Sequence, residues 1–330
     1  MKPSGNPGGA SPEPEKELLV GGQALIEGVL MRSPGAYGIA VRRPDGSLAL
    51  QRGKVTSPTV RFPFLKLPVL RGGVVLFQSL FLGIRALNFS AEAAGLEPEP
   101  PAESPERTSS WAIAGSMALG LGMGAVLFLF LPLWLTQLAE RHLFGPMGGL
   151  AFNLLDGGLR AFFFLAYLLI IARQKEIHRV FMYHGAEHKV VFAQEEGGPL
   201  TVEKARRQSR LHPRCGTSFL LFVVLVSILV FALIPKTAPF LVKLGGRLLL
   251  VPVVAGVSYE VLRLTAKRRA APLFAALVFP GLMLQKITTQ EPTDDMLEVA
   301  IVAIEEALRE DGLLPEAETG APVDAEPALA

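Results

Sequence analysis

Two short strings in this 330-residue chain hold the residue types that do chemistry. The first is His184-Gly185-Ala186-Glu187-His188. On a helix, residues four apart share a face, so His184 and His188 can present both imidazoles to one metal ion. Glu187 precedes the second histidine and is placed to polarise a water at such an ion. The same H-x-x-E-H spelling occurs in one class of zinc peptidases. It is a short match, and Gly185 is poor helix material. The second string is His212-Pro213-Arg214-Cys215. Imidazole and thiolate are good zinc donors, and this spacing lets both reach one ion. The expected ligand set is His184, His188, His212 and Cys215, around a divalent metal such as zinc. Glu187 and Glu260 are the candidate acid–base groups for a hydrolase-type reaction.

Each assignment has a plainer competitor. The two histidines can serve only hydrogen bonds or headgroup contacts. Cys215 can be a small buried apolar residue, or a nucleophile with a histidine base. Glu260 can pair with Arg263 or with an arginine of the loop that carries the histidines.

The elements that must position these groups are apolar. Half of the residues are hydrophobic, only 19% are charged, and the mean hydropathy is +0.39. That composition belongs to the membrane class. A net charge of +2 gives no global basic field, so nucleic acid is not an expected partner. The single cysteine, Cys215, excludes an intramolecular disulfide, so the chain needs no oxidising compartment. No cleavable signal peptide is visible, because Gln23 and Glu27 break the first apolar stretch.

Hydropathy predicts an α-helical polytopic membrane protein with four spans, near 111–138, 154–172, 216–234 and 247–264. Spans one and two thus fall in 111–172, and spans three and four in 217–264. Ser116, Gly120 and Gly124 make a small-residue stripe suited to helix packing. Asp156 and Arg160 can pair across one turn. Glu260 lies near the inner end of the fourth span, where an ionisable group faces protein or water. The segment 173–216 is rich in lysine and arginine, whereas the other two loops are sparse. The positive-inside rule then puts this segment and both termini on the cytoplasmic side of the cytoplasmic (inner) membrane.

Around the spans, residues 1–16 read as a disordered tail and 17–66 as a small β-rich cytoplasmic region. A hairpin there has its tip near Asp45-Gly46, between Ile39, Val41 and Leu48, Leu50. Residues 67–92 are apolar but interrupted by Arg71, Gln78, Ser79, Arg85 and Asn88. They read as an interfacial helix, with a short crossing as the alternative. Residues 93–110 read as a flexible linker. The 265–311 region holds a re-entrant or interfacial segment at 272–285, or else a fifth span that would move the C-terminus outside. It ends in an amphipathic helix begun at Thr293, with Met296, Val299, Ala300, Ile304 and Leu308 as its stripe. Residues 312–330 read as a disordered tail. The basic run with Arg206, Arg207 and Arg210 suits anionic lipid headgroups or an acidic partner, or merely sets topology.

Longer strings resemble a known family. They are Gly21-Gly22-Gln23-Ala24 through Ile26-Glu27-Gly28-Val29 with Met31-Arg32-Ser33-Pro34, then Tyr183 to Lys189, and then Ser209 to Phe219. Ser258-Tyr259-Glu260 and Thr288-Thr289-Gln290-Glu291-Pro292 complete the match. Over about residues 20 to 310 the chain is similar to the YqhQ-like family of bacterial integral membrane proteins. The resemblance places His184, Glu187, His188, His212, Cys215, Glu260, Glu27 and Arg32 in the family pattern. It implies a membrane protein of unknown function, sometimes labelled a metal-dependent enzyme on the same His, Glu and Cys pattern. Three functions follow as expectations. The first is a metal-binding protein at the cytoplasmic interface with hydrolase-type chemistry. The second is a non-enzymatic scaffold for a membrane-protein partner or a second copy. The third is a transporter.

Overall fold

Apolar residues alternate between 25 and 50, and in the computed structural model they divide between the two faces of a sheet. The structure describes residues 20–56, 58, 62–96, 110–267, 272–316 and 323–325. The expected tail at 1–16, and most of the expected linker at 93–110 and tail at 312–330, lie outside the described residues.

Strands β1 (Gly21–Leu25), β2 (Gly28–Arg32), β3 (Ala36–Arg42) and β4 (Leu48–Lys54) form an antiparallel meander. A short β5 (Val323–Ala325) adds to β4 in parallel. The β3–β4 tip is the expected turn: Gly46 sits at φ +86, and Asp45 Oδ1 accepts the Ser47 N–H at 2.9 Å. One face of the sheet carries Leu25, Leu30, Tyr37, Ile39 and Val41. It packs on Leu82 and Ala86 of helix α1 (Leu70–Ala93).

The remaining helices follow. Helix α2 (Ser110–Ala125) continues through Val126–Phe130, Leu131–Ala139 and Glu140–Phe144, with π turns in the second and fourth pieces. Pro132 cannot donate to the carbonyl four residues back, which frees Phe128 O, and Arg160 Nε donates to it at 3.1 Å. Then come α3 (Gly149–Ile171), α4 (Lys175–Glu195), the short α5 (Val202–Arg206), α6 (Gly216–Phe231), α7 (Phe240–Lys267), α8 (Pro272–Thr288) and α9 (Asp294–Glu310).

Helices α4 and α9 cover the other face of the sheet. Met296, Val299, Ala300, Ile304 and Leu308 pack with Val29, Met31, Ala40, Tyr183 and Val190. The expected stripe of α9 is therefore its buried face. Thr293 holds the N-cap position but its side chain makes no capping bond. Gly38 marks the crossing of α9 over β3, since a Cβ there would lie 2.4 Å from Ala303 O. The result is a three-layer platform: α1, the sheet, then α4 with α9.

Among the described residues four helices are long and apolar enough to cross a membrane: Leu70–Ala93, Ala118–Phe144, Gly149–Ile171 and Phe240–Thr265. The expected span at 216–234 contains the 16-residue α6, roughly 24 Å long and shorter than these four. It packs against α3, α7 and α8. Leu121, Leu143, Leu150, Leu229 and Leu249 all point outward, each more than two-thirds exposed. A water-facing bundle would not present such a surface. Among the described residues nothing lies within 4 Å of a Cβ placed at Gly120 or Gly124 of the α2 stripe.

Candidate metal centre

The chemistry-bearing residues meet where the platform joins the bundle. Helix α4 supplies both histidines of the H-x-x-E-H string, one turn apart, with ring centroids at 4.4 Å. Gly185 between them is required by close approach. The segment after α8 crosses α4 here, with Gln290 N donating to Phe181 O at 2.8 Å. A Cβ at Gly185 would lie 2.0 Å from Gln290 O. The residue that looked wrong for a helix is the one that lets this strap lie on it.

That strap orients the first ring. His184 Nδ1 lies 2.8 Å from Thr288 O. A carbonyl only accepts, so Nδ1 carries the proton and Nε2 keeps its lone pair. The second ring repeats the pattern, with His188 Nδ1 2.6 Å from Arg210 O. His188 is 2% exposed, and its buried Nε2 has no hydrogen-bond partner. Opposite stands Cys215, the N-cap of α6. Its Sγ is 3.2 Å from His184 Nε2, and Thr217 N–H points at it from 3.4 Å. One donor atom from each of His184, His188 and Cys215 lies within 4.8 Å of the other two.

His212 stands beside this trio without joining it. Its backbone is clamped by Gln285, whose Oε1 accepts His212 N–H and whose Nε2 donates to His212 O, each at 2.8 Å. Its ring has the opposite tautomer. Nδ1 accepts the Arg214 N–H at 3.3 Å, which leaves the proton on Nε2, 3.4 Å from Glu195 Oε1. Glu195 also holds Arg214. The His212 ring is 5.7 Å from that of His188 and packs on Phe192.

Glu187 is buried on the sheet side of α4, against Gly22 of β1. Burial pushes its carboxyl up to about 6, against opposing pulls from His184 and the Gly22 backbone. Glu260 is elsewhere: Arg71 of α1 grips both its oxygens, with Nε at 2.7 Å. Gly72 allows α1 that close to α7, because a Cβ would meet Gly256 at 3.0 Å. The three arginines expected at headgroups are engaged within the chain. Arg206 pairs with Asp294 and Arg207 with Glu203, while Arg210 donates to Thr289. Glu27, at φ +52 in the β1–β2 turn, takes Arg179 of α4.

Sequence reasoning missed the two carbonyls that set the tautomers, the Gln285 clamp and Glu195. Only the string Thr288 to Pro292 signalled that this segment mattered.

Residues 67–310 match the family described as "Protein of unknown function (DUF1385)". The chain is also 39% identical over 307 residues to the Uncharacterized protein YqhQ of Bacillus subtilis (strain 168), covering 89% of this chain and 93% of that one. No solved structure matches it.

Proposed function

The chain belongs to this family of proteins of unknown function, and we propose that it is an integral membrane protein with a zinc centre at the junction of platform and bundle. Its donors are His184 Nε2, His188 Nε2 and Cys215 Sγ. One observation carries this reading. Both histidines hand Nδ1–H to a backbone carbonyl, and the buried Nε2 of His188 faces the other donors with no partner. Metal-binding histidines are held in this way. The residues present fit a soft divalent ion, since two imidazoles and a thiolate favour zinc over calcium or magnesium.

Bound zinc supplies Lewis-acid chemistry and stabilises the fold around it. The chain's own groups do the positioning. Thr288 O and Arg210 O fix the two rings, and Gln285 fixes the turn that delivers Cys215. The centre ties α4 of the platform to the start of α6 in the bundle. A hydrolytic role draws on the donor count: three protein donors would leave a bound zinc a place for water, as in catalytic zinc sites. In that reading Glu187 is the acid–base group. Glu260 belongs to the seam between α1 and α7, and His212 tunes the surroundings through Glu195.

The lysine and arginine of 173–216 support a cytoplasmic face for the centre and both termini, in the cytoplasmic membrane. Helix α1 then lies along the interface. One side packs on the sheet, and Phe77, Leu80, Phe81 and Leu87 face lipid. The platform is left free to receive a membrane-protein partner or a second copy.

Elemental analysis of detergent-purified full-length protein tests the centre. About one zinc per chain is expected, and none in the His184→Ala/His188→Ala variant. Equal metal content in the two proteins would overturn the reading.

A further inference from the structure

Arg32 belongs to a string, Met31-Arg32-Ser33-Pro34, that the metal centre leaves without a role. It ends β2, and residues two apart on a strand share a face, so it points with Leu30 toward α1. There its Nη1 donates to Ser79 Oγ at 3.1 Å. A guanidinium carries five N–H donors, and among the described residues no carboxylate pairs with this one. Burial pushes Arg32 below its usual range, with no acidic group offsetting the shift. Arg52 and Arg179 differ, because Glu316 and Glu27 bond to them and raise them. A partly buried cation without a counter-ion carries a cost that an anion from outside the chain relieves.

Beside it there is room for one. Arg32 lines a cavity of about 310 Å³ between the segment that follows β4 and the middle of α1. Small-ligand sites run from roughly 300 to 1,000 Å³. The walls are of two kinds. Arg32, Thr56 and Gln78 make a polar corner, where Gln78 Nε2 donates to Thr56 O at 2.9 Å. Phe77, Phe81 and Leu82 make an apolar wall, and both phenylalanines are exposed on the outer side of α1. Among the described residues that line the cavity there is no acid. Helix α1 has the length and hydropathy of a membrane segment. The apolar wall therefore continues into hydrocarbon, while the guanidinium sits against the sheet. An occupant that satisfies both walls carries an anion at one end and a chain at the other.

We propose that this cavity seats an anionic phospholipid, with its phosphodiester on Arg32 and the start of an acyl chain along Phe77 and Phe81. Arginine binds phosphate oxygens through paired N–H donors. One cation beside an apolar wall suits a singly charged diester attached to a chain. A free phosphate dianion would find no second cation among the described lining residues and would leave the phenylalanines uncovered. The assignment rests on the reading of α1 as a helix that meets lipid, and is independent of the metal centre.

The test uses full-length protein in a neutral detergent, titrated with short-chain phosphatidylglycerol, short-chain phosphatidylcholine or inorganic phosphate, and read by native mass spectrometry and thermal shift. Saturable binding of phosphatidylglycerol, tighter than that of phosphatidylcholine, is expected. Arg32→Gln should weaken it by about tenfold or more, and Arg32→Lys should keep part of it. Phe77→Ser changes an exposed wall without touching the core, and it should weaken lipid binding too. Equal binding of the two lipids, binding of inorganic phosphate alone, no binding of any probe, or affinity unchanged in Arg32→Gln or in Phe77→Ser would each overturn the proposal. A cooperative unfolding transition in lipid-free samples of each variant separates loss of this site from loss of the fold. Zinc content measured in parallel separates failure of this site from failure of the metal centre.

Discussion

The two ends of α6 solve the problem of burying polar atoms in opposite ways. At the Cys215 end the buried groups are neutral donors, imidazole and thiol, steered by backbone carbonyls. Their donor atoms face one another, and the Nε2 of His188 has no hydrogen-bond partner. At the Phe231 end the buried groups are ions, and one carboxylate holds two guanidinium groups. The first end is a set of acceptors short of a cation. The second is a pair of cations, Arg160 and Arg247, held by one shared carboxylate, Asp156. A neutral cluster can be emptied at modest cost, whereas an ionic cluster collapses when one member goes, because the remaining charges stay buried.

Asp156→Asn should show the largest effect. It removes the carboxylate that Arg160 and Arg247 share, leaving two buried cations with a neutral amide. A loss of about 3–5 kcal/mol is expected, read as a lowered unfolding midpoint in detergent. The zinc content of the surviving folded protein should stay the same. If Asp156→Asn is neutral, the two ends do not differ as described, and the arginines draw their compensation from elsewhere.

Gly185→Ala comes next and acts on the other end. The new methyl group would meet Gln290 O, a backbone atom that cannot rotate away. Either α4 or the strap must shift, at a cost of about 1–3 kcal/mol. The strap also carries Thr288 O, so the His184 ring should loosen and zinc affinity should fall along with stability. Unchanged affinity would mean that the ring is not steered by the strap.

Parts of this comparison were open to a reading of the residues alone, and parts were not. Asp45-Gly46 announced its hairpin because a positive φ there needs glycine. The α9 stripe announced its buried face because period and burial coincide. His184 and His188 share a face for the same periodic reason. The tautomer of His212 depends on Arg214 N and Glu195, which no spacing rule reveals. In 67–92, Arg71, Gln78 and Ser79 looked like interruptions to a span. They are the groups that fasten α1, to Glu260, Thr56 O and Arg32 respectively. The fourth span was expected to start at 247, with Lys243 outside it in a loop. Helix α7 starts at Phe240, because Asp156 and the Phe152 and Phe231 rings offer the two cations a place inside. Hydropathy counts a charge as a penalty and cannot see its partner. For that reason the ionic end was the less legible of the two.

Cys215→Ala should have the smallest effect, provided zinc is absent. In chelator-treated protein it removes the Thr217 contacts and the cap of α6, worth about 0.5–1 kcal/mol. With zinc present the same substitution removes a donor, and the stabilisation tied to binding goes with it. At a free zinc concentration about 1,000 times the dissociation constant, that stabilisation is about 4 kcal/mol. The same substitution should therefore be quiet without the ion and costly with it, as measured by unfolding midpoints in paired samples. A cost that is equal in the two conditions would reduce Cys215 to a helix cap. The Cys215 end would then be a packed polar core like any other, and the contrast with the Phe231 end would lose its first half.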